Sequence, residues 1–193
     1  MEQHERAGPI HEPFTPEFRQ NNVWMEDGKM VIQFAYDTSD DVYSAGRIDT
    51  SGKLSPLYGW FEIKMQIVPV HGTQSAFWLW PENGLFDNDA GCSGTAHYGA
   101  EIDIIEAAKQ ADLYPCNIHY DGYSSGNGCY QNDKMEINLD GLHEGFHTFG
   151  LHWTPDKLEW YADGSVVRTI DDPAKVDRKD SYHQVSLKTL RDI

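Results

Sequence analysis

The chain has 193 residues, enough for one domain with a hydrophobic core, and its 15 Lys and Arg against 31 Asp and Glu give a formal net charge of −16. So acidic a protein is a poor partner for nucleic acid and anionic membranes, because both carry negative charge. No run of about 18 apolar residues occurs, so we expect no membrane insertion. Aromatic residues make up 12% of the chain, including six Trp, which suggests flat platforms for sugars.

Alternation of apolar and polar residues with period two recurs along the chain and predicts β-strands. The clearest case runs from Tyr58 to Val68, where apolar and charged or polar residues alternate. Further strands are predicted at 30–36, 42–48, 74–80, 100–107, 117–120, 149–153, 158–162, 166–170 and 184–190. So many short strands predict an all-β fold, a two-sheet antiparallel β-sandwich.

Domain organisation follows from the remaining segments. Residues 1–20 contain three Pro and no alternation, and we expect them to form an extended lead-in to a single domain at 21–193. Two long polar connections, 82–99 and 121–134, are rich in Gly, Ser and Asn, and loops of that length are usually functional or mobile.

Three acidic residues lie within one otherwise apolar predicted strand. Glu101 and Asp103 share a face, whereas Glu106, five residues after Glu101, would point to the opposite face of a regular strand. A β-bulge at Ile104 and Ile105 would return Glu106 to the same face. Two carboxyl groups fixed on one strand suit a retaining glycosidase, and their repulsion should raise the pKa of the Glu that serves as the acid. The alternative is the solvated face of an ordinary strand.

The segment Glu101-Ile-Asp-Ile-Ile-Glu106 resembles the catalytic signature of glycoside hydrolase family 16, in the bulged form typical of laminarinases. The resemblance covers about residues 20–190 and implies a β-jelly roll with a cleft on its concave sheet, in which Glu101 is the nucleophile, Glu106 the acid/base and Asp103 the residue that assists between them. Further blocks occur in the family's order: Tyr43-Ser-Ala-Gly-Arg-Ile48, Tyr58-Gly-Trp-Phe-Glu62, Ser75-Ala-Phe-Trp-Leu79, and Phe146-His-Thr-Phe-Gly-Leu-His-Trp-Thr-Pro-Asp156 followed by Trp160-Tyr-Ala-Asp-Gly164.

The same resemblance implies three substrate-binding residues. Trp78 would line the sugar subsites, His119 would approach the acid/base, and Arg47 would lie at the edge of the cleft. Their alternatives are core packing, a satisfied interior histidine and a surface ion pair. Trp60 and Trp153 are assigned to the core.

The resemblance implies an endo-glycosidase that hydrolyses β-1,3- or mixed-linkage β-1,3-1,4-glucan by double displacement. Gln74-Ser75 stands where laminarinases commonly have Trp-Pro, and the leading region 14–34 resembles galactan-cleaving members such as agarases and porphyranases. An agarase-, porphyranase- or carrageenase-like hydrolase is therefore one alternative. A non-catalytic glucan-binding module on the same fold is another, and a transglycosylase would use the same acids.

No cofactor is expected. The family's common structural calcium site uses terminal strands of Asp-Glu-Phe and Val-Asp-Tyr-Val type, neither of which occurs here, so whether both edges are truncated stays open. We expect a monomer whose partner is a polysaccharide. The family implies a secreted, extracellular or periplasmic protein, although residues 1–8 are charged and carry no apolar signal core.

Three cysteines, Cys92, Cys116 and Cys129, cannot all pair within one chain. The spacing of Cys116 and Cys129 would suit a disulfide that closes one loop, which leaves at least one free thiol.

Overall fold

The computed structural model describes residues 16–70, 72–81, 100–108, 111–121, 130–176 and 183–191. Within these ranges no helix is long and apolar enough to cross a membrane. In chain order the elements are β1 Glu17–Phe18, a 3-10 helix Gln20–Asn22, β2 Val23–Glu26, β3 Lys29–Ile32, β4 Phe34–Asp37, β5 Val42–Asp49, β6 Gly59–Gln66, β7 Thr73–Pro81, β8 Ala100–Ala107, β9 Leu113–Tyr120, β10 Gln131–Asn138, β11 Phe146–Trp153, β12 Leu158–Ala162, β13 Ser165–Ile170, α1 Pro173–Val176 and β14 His183–Arg191.

The strands form two main sheets. The larger has the order β1-β5-β14-β7-β8-β9-β10, with β4 also paired to β5, and the smaller has the order β13-β12-β11-β6. A separate hairpin joins β2 to β3. The pairs are antiparallel apart from the short parallel contact between β1 and β5. The predicted antiparallel β-sandwich is confirmed.

The core lies between the two sheets and follows from the alternation in the sequence. On β11, Phe149, Leu151 and Trp153 are each at most 1% exposed, and burying each such side chain stabilises the fold by about 1.5–3 kcal/mol. The indole Nε1 of Trp160 on β12 donates a hydrogen bond of 2.9 Å to the backbone carbonyl of Asp103 on β8. This bond ties the smaller sheet directly to the strand that carries the three acids.

Strand β10 was not predicted. Gln131 to Asn138 pairs with β9 over its whole length, but only Ile137 on this strand is buried. Alternation of apolar residues is therefore too weak to reveal the strand, which we had partly assigned to the polar connection 121–134. The other long connection, 82–99, lies outside the described residues.

The assignment of Trp60 to the core was wrong, whereas Trp153 is buried as expected. Trp60 is 51% exposed on the outer side of the smaller sheet, with its ring centroid 4.7 Å from that of Tyr161. Gly150 is on β11, the strand between β6, which carries Trp60, and β12, which carries Tyr161. A Cβ added at Gly150 would lie 3.5 Å from the Trp60 ring. The aromatic pair therefore covers the bare backbone of a glycine, a known way to stabilise a sheet.

Cys116 on β9 is a buried free thiol, so the suggested bridge to Cys129 is not formed. Its Sγ lies 3.7 Å from Nη1 of Arg168, and burial raises the pKa of the thiol. Cys92 and Cys129 lie outside the described residues.

Candidate active site

Strand β8 contains the predicted β-bulge. Phe77 of β7 pairs with Ile105 and the next residue, Trp78, pairs with Asp103, so Ile104 has no partner of its own on β7. The extra residue shifts the alternation of side chains by one position. The bulge that the acid spacing predicted is confirmed.

The bulge brings the three acids to one side of the larger sheet. Asp103 and Glu101 share a side-chain hydrogen bond, and carboxylate oxygens of Asp103 and Glu106 lie within 4.8 Å of each other. Gln74 Nε2 donates a hydrogen bond of 3.0 Å to Glu106 Oε1. We call the side of this sheet that carries Glu101, Asp103, Glu106 and Trp78 the active face.

Two of the three acids are buried, and their carboxylate oxygens are not all hydrogen-bonded within the described residues. Glu101 is 7% exposed and Asp103 1%, and Glu101 Oε2 has no hydrogen-bond partner in the described part of the chain. Burial, reinforced by the charge of Asp103, raises the pKa of Glu101 to about 8. Burial and the charge of Glu106 raise the pKa of Asp103 well above its usual range. We had expected the glutamate with the raised pKa to serve as the acid, whereas Glu101 is the residue that the family pattern makes the nucleophile.

His119 on β9 completes the cluster. It pairs with Glu101 across the strands, and its Nε2 lies 3.1 Å from Asp103 Oδ2. Asn117 Nδ2 lies 2.9 Å from the same ring nitrogen, and Nδ1 contacts the hydroxyl of Tyr130. Burial lowers the pKa of His119, so a neutral imidazole faces the acids at neutral pH.

Trp78 lies on the active face, as expected, but its ring is not an open platform. It is 4% exposed, and two cations cover it: Lys188 Nζ lies 4.5 Å and Arg47 Cζ 5.4 Å from the ring centroid. Arg47 also forms an ion pair of 3.5 Å with Asp49. All six predicted site residues thus lie on or beside the active face.

Sequence reasoning missed three residues beside this cluster. Gln74 was noted only as a departure from the laminarinase pattern, although it contacts Glu106. Tyr130 stacks on the His119 ring with centroids 5.7 Å apart, and the only signal for it was an aromatic residue at the end of a polar connection. Lys188 lies in a predicted strand, but no motif linked it to the acids.

Asp103, Glu106 and His119 could also hold a divalent cation, since one ligand atom from each lies within 4.8 Å of the others. Two oxygens and one imidazole nitrogen suit a transition metal such as Zn²⁺. An ion there would occupy the carboxylates that a glycosidase needs free, so it would compete with acid/base chemistry.

Comparisons with known proteins agree with this geometry. Over 152 residues the chain is 26% identical to a beta-glucanase from Rhodothermus marinus, covering 77% of this chain and 50% of the relative. It is 28% identical over 156 residues to a glucan endo-1,3-beta-glucosidase from Cryptopygus antarcticus, covering 78% of this chain and 55% of the relative. The chain therefore spans about half the length of these curated relatives.

Solved structures show the same fold. The crystal structure of a laminarinase from Flavobacterium sp. UMI-01 superposes with a TM-score of 0.72 at 23% identity, covering 90% of this chain and 72% of that chain. The sequence profile of Glycosyl hydrolases family 16 matches residues 10–190. With the bulged acidic strand in the position its signature requires, the chain belongs to glycosyl hydrolase family 16.

Proposed function

We propose that this protein is a retaining endo-glycosidase that hydrolyses β-1,3- or mixed-linkage β-1,3-1,4-glucan by double displacement. The observation that carries the proposal is the bulged strand β8, which sets Glu101, Asp103 and Glu106 on one face. Retaining glycosidases need two carboxyl groups about 5–5.5 Å apart, and one rigid strand can fix that separation. The relatives from Rhodothermus marinus and Cryptopygus antarcticus, a beta-glucanase and a glucan endo-1,3-beta-glucosidase, support the substrate class.

In the first step, a carboxylate oxygen of Glu101 attacks the anomeric carbon while the carboxylic acid of Glu106 donates its proton to the departing glycosidic oxygen. The glycosidic bond breaks, and a covalent glycosyl ester forms on Glu101. In the second step, Glu106 removes a proton from water, the water oxygen attacks the anomeric carbon, and the ester breaks. Two inversions give net retention of the anomeric configuration.

Asp103 has a specific part in this scheme. A hydrogen bond between two carboxyl groups requires a proton on one of them, and Asp103 is the more deeply buried of the pair. In the unliganded fold that proton lies on Glu101, because burial raises the pKa of Glu101 to about 8 and the hydrogen bond from Glu101 lowers the pKa of Asp103. We propose that the proton moves to Asp103 when Glu101 attacks, so that Asp103 then donates the hydrogen bond. Glu101 can then be ionised and nucleophilic although its surroundings disfavour charge, and no second negative charge develops beside it.

The neighbouring residues orient the acids. Gln74 holds one oxygen of Glu106, and His119, fixed by Asn117 and Tyr130, lies against Asp103. Arg47, His119 and Trp78 are proposed to contact substrate. Because both chemical steps use carboxyl groups alone, the proposed mechanism requires no cofactor or metal.

The alternatives differ in how well the site supports them. A non-catalytic glucan-binding module would not need the acids, which are buried at a cost. A transglycosylase would use the same first step and transfer the glycosyl group to a sugar hydroxyl. We propose that the protein acts as a monomer in a secreted, extracellular or periplasmic location, where polysaccharides are met.

The test is incubation with a panel of laminarin, barley β-glucan, agarose, carrageenan, porphyran and xyloglucan, followed by chromatography of the products. We expect a ladder of oligosaccharides from laminarin or barley β-glucan, as internal cleavage requires. The Glu101→Gln protein is the matched control for contaminating activity. Release from agarose, carrageenan or porphyran alone would replace the glucan assignment by a galactan, and no release from any polymer would contradict the proposal.

A further inference from the structure

Two cations, Arg47 on β5 and Lys188 on β14, lie side by side on the active face. They are direct cross-strand partners, and like charges directly opposite each other destabilise a sheet. Lys188 also pairs with Ala76 of β7, and Ala76 pairs with Glu106 of β8. Because cross-strand partners project to the same side, the cations share one surface with the acids.

Direct ion pairs compensate these two cations only in part within the described ranges. Arg47 makes its 3.5 Å ion pair with Asp49. Within the described ranges, Lys188 makes no ion pair, and its Nζ rests over the Trp78 ring at 4.5 Å. The charge of Lys188 also acts on the buried carboxyl groups of Glu101 and Asp103. A pair of like charges that breaks a local rule beside such a cluster is expected at a functional position.

We propose that Arg47 and Lys188 form a subsite for an anionic substituent, a sulfate ester or a carboxylate, on the sugar that lies beside Trp78. This inference rests on the proposed glycosidase function and adds an anionic substituent to the β-glucan that the enzyme would cleave. The oxygens of such a group accept charge-assisted hydrogen bonds from the ammonium and the guanidinium. Its negative charge also relieves the repulsion between the two cations.

A competing interpretation makes Lys188 an electrostatic support for the acids, since its charge lowers the pKa of Glu101 and of Asp103. That role would change hydrolysis of neutral and charged substrates by the same factor. A subsite would change their ratio. The ratio therefore separates the two interpretations.

The experiment compares laminarin with sulfated and carboxymethylated laminarin, which share one backbone. We expect the ratio of kcat/KM on a charged to that on the neutral substrate to fall about tenfold in Lys188→Met, the loss of one charge-assisted contact. Arg47→Met should lower the same ratio. Lys64→Met, which removes one positive charge from β6 of the other sheet, is the matched control and should leave it unchanged. The derivative with the larger fall identifies sulfate or carboxylate as the preferred group.

An unchanged ratio in Lys188→Met, for both derivatives, would overturn the subsite. A fall in the ratio for Lys64→Met as large as that for Lys188→Met would also overturn it, because a general charge effect would then explain the preference. If the wild type cleaves none of the three substrates, the glucanase proposal fails. Selectivity is then measured by affinity electrophoresis in the Glu101→Gln background, as the ratio of retention by a charged laminarin to retention by neutral laminarin. The same changes in this ratio support or overturn the subsite.

Discussion

Buried charge is handled in opposite ways in two regions of the molecule. Arg168 on β13 is 7% exposed, and it donates hydrogen bonds to the carbonyl of Cys116, to the carbonyl of Asp133 and to Asp133 Oδ1. Lys175 adds an ion pair of 2.7 Å to Asp133. Although partial burial opposes it, the hydrogen bonds from Lys175 and Arg168 lower the pKa of Asp133.

The acid cluster on β8 has the opposite arrangement. Glu101 and Asp103 are as deeply buried as Arg168, but their closest charged neighbours include each other and Glu106, and burial with that repulsion raises the pKa of both. The Arg168 network ties β13 to β9 and β10 with its charges paired. The acids instead have raised pKa values because they are buried close to one another, and perturbed pKa values are typical of catalytic sites.

The largest effect should come from removing the proposed nucleophile. Glu101→Gln keeps the shape of the side chain but cannot form a glycosyl ester, so we expect kcat to fall by about 10³-fold or more. The measurement is the initial rate on the best polymer of the panel, with binding checked by affinity electrophoresis. A variant that keeps more than about a tenth of the wild-type activity would remove Glu101 from this role.

Substitutions in the Arg168 network should lower the stability of the fold rather than the rate of hydrolysis. Arg168→Met leaves the Asp133 carboxylate with Lys175 alone and uncaps two carbonyls, and we expect a loss of about 3–5 kcal/mol in the free energy of unfolding. Lys175→Met, which removes the more exposed partner, should cost about 1 kcal/mol or less. Urea denaturation measures both. Equal losses would show that Arg168 is not the centre of this network.

Stability should depend on pH through Glu101. Its pKa is 4.5 when unperturbed and about 8 in the fold, so the folded state binds more protons between these values and the free energy of unfolding falls as pH rises through that window. Glu101→Gln removes this dependence and should raise Tm relative to wild type more at pH 8 than at pH 5. Glu136→Gln, on the exposed side of β10, is the control. A Tm difference that does not change with pH would contradict the burial argument.

The smallest effect concerns Gln74. Gln74→Ala removes the amide that holds Glu106, and losing one hydrogen bond of about 0.5–1.5 kcal/mol should lower kcat by about three- to tenfold. Because this residue acts through Glu106, the basic limb of the kcat profile should shift while KM stays near the wild-type value. Gln74→Glu, which places a second carboxylate beside Glu106, should shift that limb to higher pH. An unchanged profile in both variants would make the contact purely structural.

Several strands and the β-bulge could be predicted from the sequence, because each depends on the pattern of residues along a single strand. Period-two alternation predicted β6, β11 and β12, and an odd spacing of acids predicted the bulge opposite Phe77. Strand β10 could not be predicted, since it buries only Ile137. The two cations that cover the Trp78 ring, Arg47 and Lys188, meet through the pairing of β5 with β14 and are about 140 residues apart in the chain. No pattern along one strand contains that information.

Glu101 and Glu106 are proposed to divide the nucleophile and acid/base roles on one bulged strand. The direct measurement uses Glu106→Gln with an aryl glycoside of the preferred oligosaccharide, whose activated leaving group needs no proton. We predict fast release of the aryl group followed by slow turnover, loss of the basic limb of the pH profile, and rescue by azide to a β-glycosyl azide of retained configuration. An unchanged basic limb with no azide product, or an azide product of inverted configuration, would contradict the account.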